Sequence, residues 1–229
     1  MAEQERRRDG SLTESGMRRK KGGKMVFLFV SLLLVILLAP LLHTGLPGHA
    51  ILPIAFVGIL IFGINIVSDS RKHQFIAVGL GIPLAIGYVI AEFVPTSTNT
   101  SSIALTFGVP FFIYVTYRLL SFVANAQKVG TPELYASACV YLMFGFCWAG
   151  IYGLVHYLQP ESFNNPAAAA RVCESMFYVS FVTLTTLGNG DITPATELTR
   201  HLAILEAITG VLTLSFLIAR IVSLYKREE

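Results

Sequence analysis

The amino-acid sequence predicts an all-α membrane protein with six transmembrane helices and one shorter helix that enters the membrane without crossing it. Of the 229 residues, 54% are hydrophobic, and they occur in long runs rather than in alternation with polar residues. A helix needs roughly 20 apolar residues to cross a hydrocarbon core about 30 Å thick. The runs that meet this requirement are 25–42, 50–67, 75–94, 103–122, 134–158 and 198–224.

A seventh apolar run, 172–184, is too short to cross the membrane. Lipid offers no hydrogen-bond partners, so such a segment is acceptable only where protein surrounds it. We therefore expect a re-entrant helix that starts and ends on the same side. The first run could also be a cleaved signal peptide, which would leave five spans. No clear small-x-small cleavage site follows it, and we expect the helix to be retained.

Basic residues predict the orientation of the six spans. The side that carries both termini holds 15 Lys and Arg residues, and the opposite side holds only Arg171 and Arg200. Cytoplasmic loops carry the excess of positive charge in membrane proteins. The sequence therefore predicts a multi-pass protein of the plasma membrane with both termini in the cytoplasm.

The chain divides into three predicted regions. Residues 1–24 are polar and basic and form a disordered cytoplasmic arm. Residues 25–128 form a group of four transmembrane helices, and residues 129–229 contain the last two spans and the short helix. A voltage sensor needs 3–4 gating charges per subunit. The fourth span has only Arg118, so we expect no steep response to voltage.

The fifth span has a helix-start pattern in Thr131, Pro132 and Glu133. Threonine is a good N-cap, proline suits the first turn, and an acidic residue is favoured at the positive end of the helix dipole. We therefore expect Thr131 to cap this helix.

The most specific motif is Thr185-Thr186-Leu187-Gly188-Asn189-Gly190-Asp191. Its two glycines permit backbone conformations that a Cβ would obstruct. Together with the preceding helix and the following Ile192-Thr193-Pro194, it resembles the pore helix, filter and exit of the tetrameric potassium channels. The match is closest to bacterial channels with a single pore domain, and it extends from about Pro132 to Tyr225.

This resemblance implies a role for each residue of the motif. Backbone carbonyls of Thr186, Leu187, Gly188 and Asn189, with the Thr186 hydroxyl, would hold permeating potassium in place of its hydration water. Gly190 completes this filter, and Asp191 would place a carboxylate at the outer mouth. The chain supplies one such loop, and a closed ring of carbonyls needs several. The resemblance therefore implies a homotetramer.

Asn189 departs from the family pattern, which has Tyr or Phe between the glycines. The family's aromatic ring packs behind the filter and holds its width. Asparagine is smaller, and we expect its side chain to bond to local backbone instead. This departure leaves open whether the filter selects potassium or also passes sodium.

The resemblance also assigns residues around the filter. Tyr178 would support it from behind, and simple core packing is an equal alternative for this residue. Glu206 is a separate case: an ionisable group within the sixth span is costly, and we expect it to face protein and to hydrogen-bond behind the short helix. Gly210 matches a glycine at which the family's inner helix bends, and close packing is the alternative for this glycine. The residues that would line the cavity and inner gate are Val211, Leu214 and Ile218.

The sequence thus predicts a passive cation channel, most simply potassium-conducting, in a bacterial inner membrane. A weakly selective monovalent cation channel, a transporter and a non-conducting membrane subunit are the alternatives. No enzymatic motif, cofactor site or metal-binding cysteine or histidine pattern occurs, and we expect no enzyme activity, cofactor or nucleic-acid partner. The expected partners are three further copies of the chain and the lipid bilayer.

Overall fold

The computed structural model describes residues 22–38, 58–61, 63–64, 71–93, 98–164 and 172–225. Six helices organise these residues, and short helical pieces lie at 58–61 and 63–64. The helices are α1 (Gly22–Leu38), α2 (Arg71–Phe93), α3 (Thr98–Ala124), α4 (Thr131–Leu158), α5 (Val172–Leu184) and α6 (Glu197–Tyr225). A 3₁₀ turn at Pro160–Ser162 and two short strands, β1 (Phe163–Asn164) and β2 (Thr193–Pro194), complete the description.

The helical character of the prediction is confirmed. The described bounds of α5 equal the predicted 172–184, and α2, α3, α4 and α6 contain the cores of four predicted spans. Among the described residues, three segments are long and apolar enough to cross a membrane: Leu105–Ala124, Thr131–Leu158 and Glu197–Tyr225. The predicted span 50–67 and the predicted arm 1–24 lie mostly outside the described residues. The last three residues of that arm, 22–24, are helical and begin α1.

The predicted cap of α4 is wrong by one position. Gly130 is the N-cap, with extended backbone at φ −152° and ψ −177°, and Thr131 is already helical. No side chain bonds to the free N–H groups at this end. Pro132 and Glu133 lie in the first turn, where a missing N–H costs nothing and the helix dipole favours an acidic side chain.

Helix α4 is the centre of the packing. Together with α1 and α3 it forms an apolar core in which side chains of all three helices are fully buried. Because the alternative surroundings in a membrane are equally apolar lipid, close van der Waals packing and not removal from water stabilises this core. The fully buried members include Leu28, Leu32, Phe111, Val115, Leu119, Val140 and Met143.

The short helix α5 packs closely on α4 because α4 has a glycine at the contact. A Cβ built on Gly145 would lie 2.5 Å from the ring of Phe181, well inside the distance that real Cβ atoms keep. Phe146 and Phe177 continue the contact, with ring centroids 5.0 Å apart in an edge-to-face arrangement. The contact of Gly145 with the Phe181 ring therefore determines how closely α5 packs on α4 and where along α4 it lies.

Two short strands join the segment that precedes α5 to the segment that follows the 185–192 loop. Strands β1 and β2 pair antiparallel, with Phe163 opposite Pro194 and Asn164 opposite Thr193. The Thr199 hydroxyl donates a hydrogen bond to the Ser162 carbonyl over 3.0 Å. Thr199 thereby joins the start of α6 to the turn that follows α4.

The first turn of α6 is stabilised by a reciprocal cap. The Thr199 N–H donates to the Thr196 hydroxyl over 3.3 Å, and the Thr196 N–H donates to the Thr199 hydroxyl over 3.2 Å. This is the bonding of a capping box, with threonine in place of the usual Glu or Gln. The loop between α5 and α6 is therefore fixed at both of its ends.

Replacing Gly145 by alanine tests the contact of α4 with α5. We expect Gly145→Ala to destabilise the folded protein by about 1–3 kcal/mol, because the new methyl group would overlap the Phe181 ring. The control is Gly79→Ala on α2, where a Cβ meets nothing within 4 Å and alanine favours the helix. Thermal unfolding of both variants in the same detergent measures the difference. Equal melting temperatures would contradict the contact.

Candidate functional site

Helix α5 ends in a Schellman motif built on Thr186. The Leu187 N–H donates to the Val182 carbonyl over 2.9 Å, and the Thr186 N–H donates to the Thr183 carbonyl over 3.0 Å. Such a motif requires one residue in the left-handed region, and Thr186 has φ 59°. Glycine usually occupies this position, and a β-branched residue there costs about 1–2 kcal/mol. A strained threonine at this place indicates that its side chain or carbonyl is needed.

The last carbonyl of α5 is held from two neighbouring helices. The Tyr141 hydroxyl of α4 donates to the Leu184 carbonyl over 3.1 Å. On the opposite side, a Cβ built on Gly210 of α6 would lie 2.7 Å from the same oxygen. Gly210 therefore has a packing reason to be glycine. Helix α6 runs without interruption from Glu197 to Tyr225, and the hinge role of Gly210 stays a prediction.

Every second residue of the loop has a left-handed backbone. The φ angles are 59° at Thr186, 62° at Gly188 and 77° at Gly190. In a regular strand successive carbonyls point to opposite sides, whereas an alternation of left-handed residues with others lets neighbouring carbonyls share one side. A Cβ at Gly188 or Gly190 would meet nothing within 4 Å. Conformation, and not space, therefore requires these glycines.

The carbonyl groups of this loop are left for another partner. Among the residues that the structure describes, no donor bonds to the carbonyls of 185–190, although the N–H groups of Thr185, Thr186, Leu187 and Gly188 all bond back to α5. Residues 185–190 are all exposed in the single chain, so these oxygens are open to solvent or to a bound cation. The predicted filter residues Thr186, Leu187, Gly188, Asn189 and Gly190 all lie in this segment.

Asn189 does not bond to local backbone as predicted. Its amide donates to the Tyr178 hydroxyl over 2.6 Å, and that hydroxyl donates to the Asp191 carboxylate over 3.1 Å. Tyr178 therefore joins α5 to the loop at two points. The sequence placed Tyr178 behind the filter and Asp191 at its mouth, and in the structure these two side chains are in direct contact. A tyrosine is long enough to reach an asparagine where two aromatic residues would compete for the space.

Glu206 is fully buried and faces protein. Its Oε1 lies 2.6 Å from the Ser180 hydroxyl of α5, and its Oε2 accepts a hydrogen bond from the Tyr152 hydroxyl of α4. One side chain of α6 thus contacts both of the other helices that surround the loop. These contacts agree with the predicted position of Glu206 behind α5, whereas its role in function stays a prediction.

Helix α6 has one face against its own chain and another that is exposed. Gly210, Leu217 and Leu224 are buried on the first face, and Arg220 on that face donates to the carbonyls of Ala124 and Ala126 over 2.7 Å each. A cation at the end of α3 complements the negative end of its dipole. About a third of a turn away are the predicted lining residues Val211, Leu214 and Ile218, which are 46–53% exposed in the single chain.

Several residues of the site escaped the sequence analysis. Ser180 and Tyr152 form hydrogen bonds with Glu206 although they lie 26 and 54 residues away in the sequence. No local sequence pattern indicates such pairs. Tyr141 resembles any other aromatic residue of an apolar helix. The spacing Thr196-x-x-Thr199 before an apolar run is the one signal that could have been read, since it matches a capping box in form.

The arrangement can bind a cation through main-chain oxygens. Hard monovalent cations are held by rings of carbonyl oxygens, and the dipole of a helix that ends nearby favours positive charge. Within the described ranges, no group of three His, Cys, Asp or Glu residues is placed to hold a metal ion. The chemistry available to the loop is therefore coordination by the backbone and by the Thr186 hydroxyl.

Two neighbouring threonines provide a matched test of the strain at the end of α5. We expect Thr186→Gly to be more stable than Thr185→Gly by about 1–2 kcal/mol, because only Thr186 has a left-handed backbone. Thr185→Gly also loses the hydrogen bond from its hydroxyl to the Phe181 carbonyl. Thermal unfolding of the two variants in one detergent measures the order, and the reverse order would show that Thr186 is not strained.

Comparisons with known proteins agree with this reading of the carboxyl-terminal region. Residues 140–227 match the model of a family described as an ion channel, and this range contains most of α4 and the whole of α5 and α6. Over 84 residues, 37% are identical to the two-pore potassium channel 4 of Arabidopsis thaliana. The alignment covers 37% of this chain and 26% of that relative. No solved structure matches the chain. Residues 140–227 are therefore similar in sequence to an ion-channel domain.

Proposed function

We propose that this chain forms a homotetrameric, passive cation channel that conducts potassium through a pore lined by the carbonyls of residues 186–189. The observation that carries this proposal is the backbone of the loop. Left-handed residues alternate at 186, 188 and 190, and the carbonyls between them bond to no donor within the described part of the chain. A stack of such carbonyls can replace the hydration shell of a potassium ion.

The ion-channel match supports the class of function. It begins within α4 and ends just past α6, so it contains the loop together with the helices that hold it. The similar relative is named as a potassium channel. The backbone of the loop and the sequence similarity both favour a pore over an enzyme or a soluble binding protein.

The exposed face of α6 supports assembly into a tetramer. The span Glu197–Tyr225 is strongly apolar, yet only 17% of its most apolar window is buried in the single chain. One loop cannot surround an ion, and four loops around an axis can. In this arrangement Val211, Leu214 and Ile218 line the inner cavity, where apolar side chains can close the path by excluding water.

The proposed topology has six transmembrane helices with both termini in the cytoplasm of a bacterial cell. The three described spans and the excess of basic residues on the side of the termini support it. In this orientation the loop beyond Gly190 faces the outside, and the carboxylate of Asp191 lies near the outer mouth. Among the described amino-terminal helices, α1 and α3 pack on α4.

A second candidate within the same class is a weakly selective channel for monovalent cations. Asn189 favours it, because the aromatic ring that sets the filter width in related potassium channels is missing. The hydrogen bond from Asn189 to Tyr178 favours the selective form instead, since it fixes the same residue by a different contact. Selectivity therefore depends on how rigidly this bond holds the loop.

Ion flux into liposomes tests the proposed function. We expect the purified protein to carry potassium down its gradient, and Gly188→Ala to lower this flux by about five- to thirtyfold. An alanine at φ 62° costs about 1–2 kcal/mol, and about 1.4 kcal/mol corresponds to a factor of ten. Gly79→Ala, which fills open space, is the control and should retain the flux.

Three outcomes would contradict the proposal. They are an absence of flux in the native protein, a flux unchanged by Gly188→Ala, and a saturable flux coupled to a second ion, which would indicate a transporter. Native mass spectrometry of the same sample measures the assembly, and any stoichiometry other than four would contradict the tetramer. Reversal potentials under opposed potassium and sodium gradients separate the selective form from the weakly selective form.

Removing one hydroxyl tests how Asn189 is held. Tyr178→Phe keeps the ring and deletes the hydrogen bonds to Asn189 and Asp191, each worth about 0.5–1.5 kcal/mol. We expect the potassium-to-sodium permeability ratio to fall several-fold with little change in the amount of tetramer. The control is Tyr117→Phe on α3, an exposed tyrosine far along the chain. A permeability ratio that is the same in all three proteins would show that Tyr178 does not set selectivity.

A further inference from the structure

A buried polar cluster joins the three helices around the loop. Glu206 of α6, Ser180 of α5 and Tyr152 of α4 are each 0% exposed. Ser180 Oγ lies 2.6 Å from Glu206 Oε1 and 2.8 Å from the Gly145 carbonyl oxygen of α4. The Tyr152 hydroxyl donates to Glu206 Oε2. Every one of these oxygens is therefore within hydrogen-bond distance of another.

The hydrogens in this cluster can be counted. A serine hydroxyl has one hydrogen, a carbonyl oxygen only accepts, and an ionised carboxylate only accepts. With Glu206 ionised, the single Ser180 hydrogen would have to serve two acceptors at 2.6 and 2.8 Å. The Tyr152 hydrogen is already directed at Oε2. One short oxygen pair would then have no hydrogen between its atoms.

Among the described residues, no basic side chain is paired with the Glu206 carboxyl group to balance a negative charge. In the described part of the chain, no Lys, Arg or His forms an ion pair with this carboxyl group, and Arg200 of the same helix pairs with Glu197 at the helix start. A buried carboxylate without a partner is strongly disfavoured in a low-dielectric interior. Ser180 and Tyr152 are neutral donors, and they cannot replace a counter-charge.

We propose that Glu206 binds a proton and is held as a neutral carboxylic acid. Its Oε1–H donates to Ser180 Oγ, the Ser180 hydroxyl donates to the Gly145 carbonyl, and the Tyr152 hydroxyl donates to Oε2. Every polar atom of the cluster then has one partner of the right kind. The proton site lies behind α5, on the buried face of α6, about a third of a turn from the face with Val211 and Leu214. It goes beyond the proposed conduction, which involves none of these atoms.

A neutral Glu206 side chain affects the electrostatics of the loop that follows α5. Ser180 lies on α5 six residues before Thr186, and Glu206 fixes its position without adding a negative charge behind the carbonyls. The carbonyls alone would then set the attraction for a cation. Glu206 is in this sense a positioning residue, which acts through Ser180 and touches no ion.

Infrared absorption of the purified protein in detergent at neutral pH tests the proposal and needs no conduction. A protonated carboxyl group has a C=O band that an ionised group lacks, and exposed Asp and Glu residues are ionised at this pH. We expect the native protein to show this band and Glu206→Gln to lose it. Glu133→Gln is the control, because it removes a second buried carboxyl group and should leave the Glu206 band in place. A Glu206→Gln spectrum that loses a carboxylate band instead would overturn the proposal.

Two further variants keep the test decisive. Ser180→Ala removes the acceptor of the proposed O–H bond and should move the same C=O band to higher frequency, which tests the assignment even where Glu206→Gln does not fold. An unmoved band in Ser180→Ala would contradict the proposal. Glutamine offers N–H donors on one terminal atom and an oxygen acceptor on the other, in place of the O–H and C=O of the neutral acid, so Glu206→Gln should unfold near the native temperature. Glu206→Leu removes the acceptor of the Tyr152 hydroxyl and the donor to Ser180 Oγ, and it should unfold at a clearly lower temperature.

Discussion

A membrane interior offers no water to backbone groups, and this constraint organises the region around α5. The helix is too short to cross, so both of its ends need partners from the protein. At its carboxyl end the partners are provided in full: N–H groups of the following loop bond to Phe181, Val182 and Thr183, and the Tyr141 hydroxyl bonds to Leu184. The next carbonyls along the chain have no such donors within the described residues. The boundary between satisfied and unsatisfied carbonyls therefore falls at Thr185, one residue before the proposed filter.

Small residues and hydroxyl groups place this boundary at a fixed point in space. Gly145 lets the Phe181 ring contact the backbone of α4, and Gly210 lets α6 reach the carbonyl oxygen of Leu184. Between these two contacts, Ser180 touches both α4 and Glu206 of α6. The position of α5 is thus determined from two sides at two heights. A backbone with alternating handedness, as at Thr186 and Gly188, is strained at its threonine and stays in place only when its surroundings are fixed in this way.

Much of this could be predicted from the sequence, because it depends on local patterns. The apolar run 172–184 gave the described bounds of α5, and the glycines of the loop indicated a backbone with positive φ, which the structure has at Gly188 and Gly190. Capping was less predictable. Thr131 was expected to cap α4, yet Gly130 does so, since a side-chain cap is only a preference among several ways to start a helix.

Contacts between distant residues could not be predicted in the same way. The partners of Glu206 lie on two other helices, and the hydroxyl that holds Asn189 belongs to Tyr178, 11 residues earlier on α5. Asparagine was expected to bond to nearby backbone, as it often does in loops. The backbone N–H groups before it are already engaged by α5, however, and tertiary packing brings a tyrosine hydroxyl within reach. The hydrogen-bond partner of Asn189 therefore depends on tertiary packing, which a local sequence pattern does not contain.

The hydrogen bond between Asn189 and Tyr178 stiffens the loop by a different contact from the aromatic packing of the potassium channels that this region resembles. In the potassium channels that this region resembles, an aromatic ring at the position of Asn189 packs into a cuff that sets the width of the filter. Here the side chain is short, and its amide is bonded to a residue of the same chain, which in turn bonds to Asp191. The loop is therefore held in place by hydrogen bonds within its own chain instead of by packed aromatic rings. Hydrogen bonds are directional and depend on a single hydroxyl group, whereas ring packing is spread over many atoms. A loop held in this way is sensitive to the loss of one oxygen atom at Tyr178.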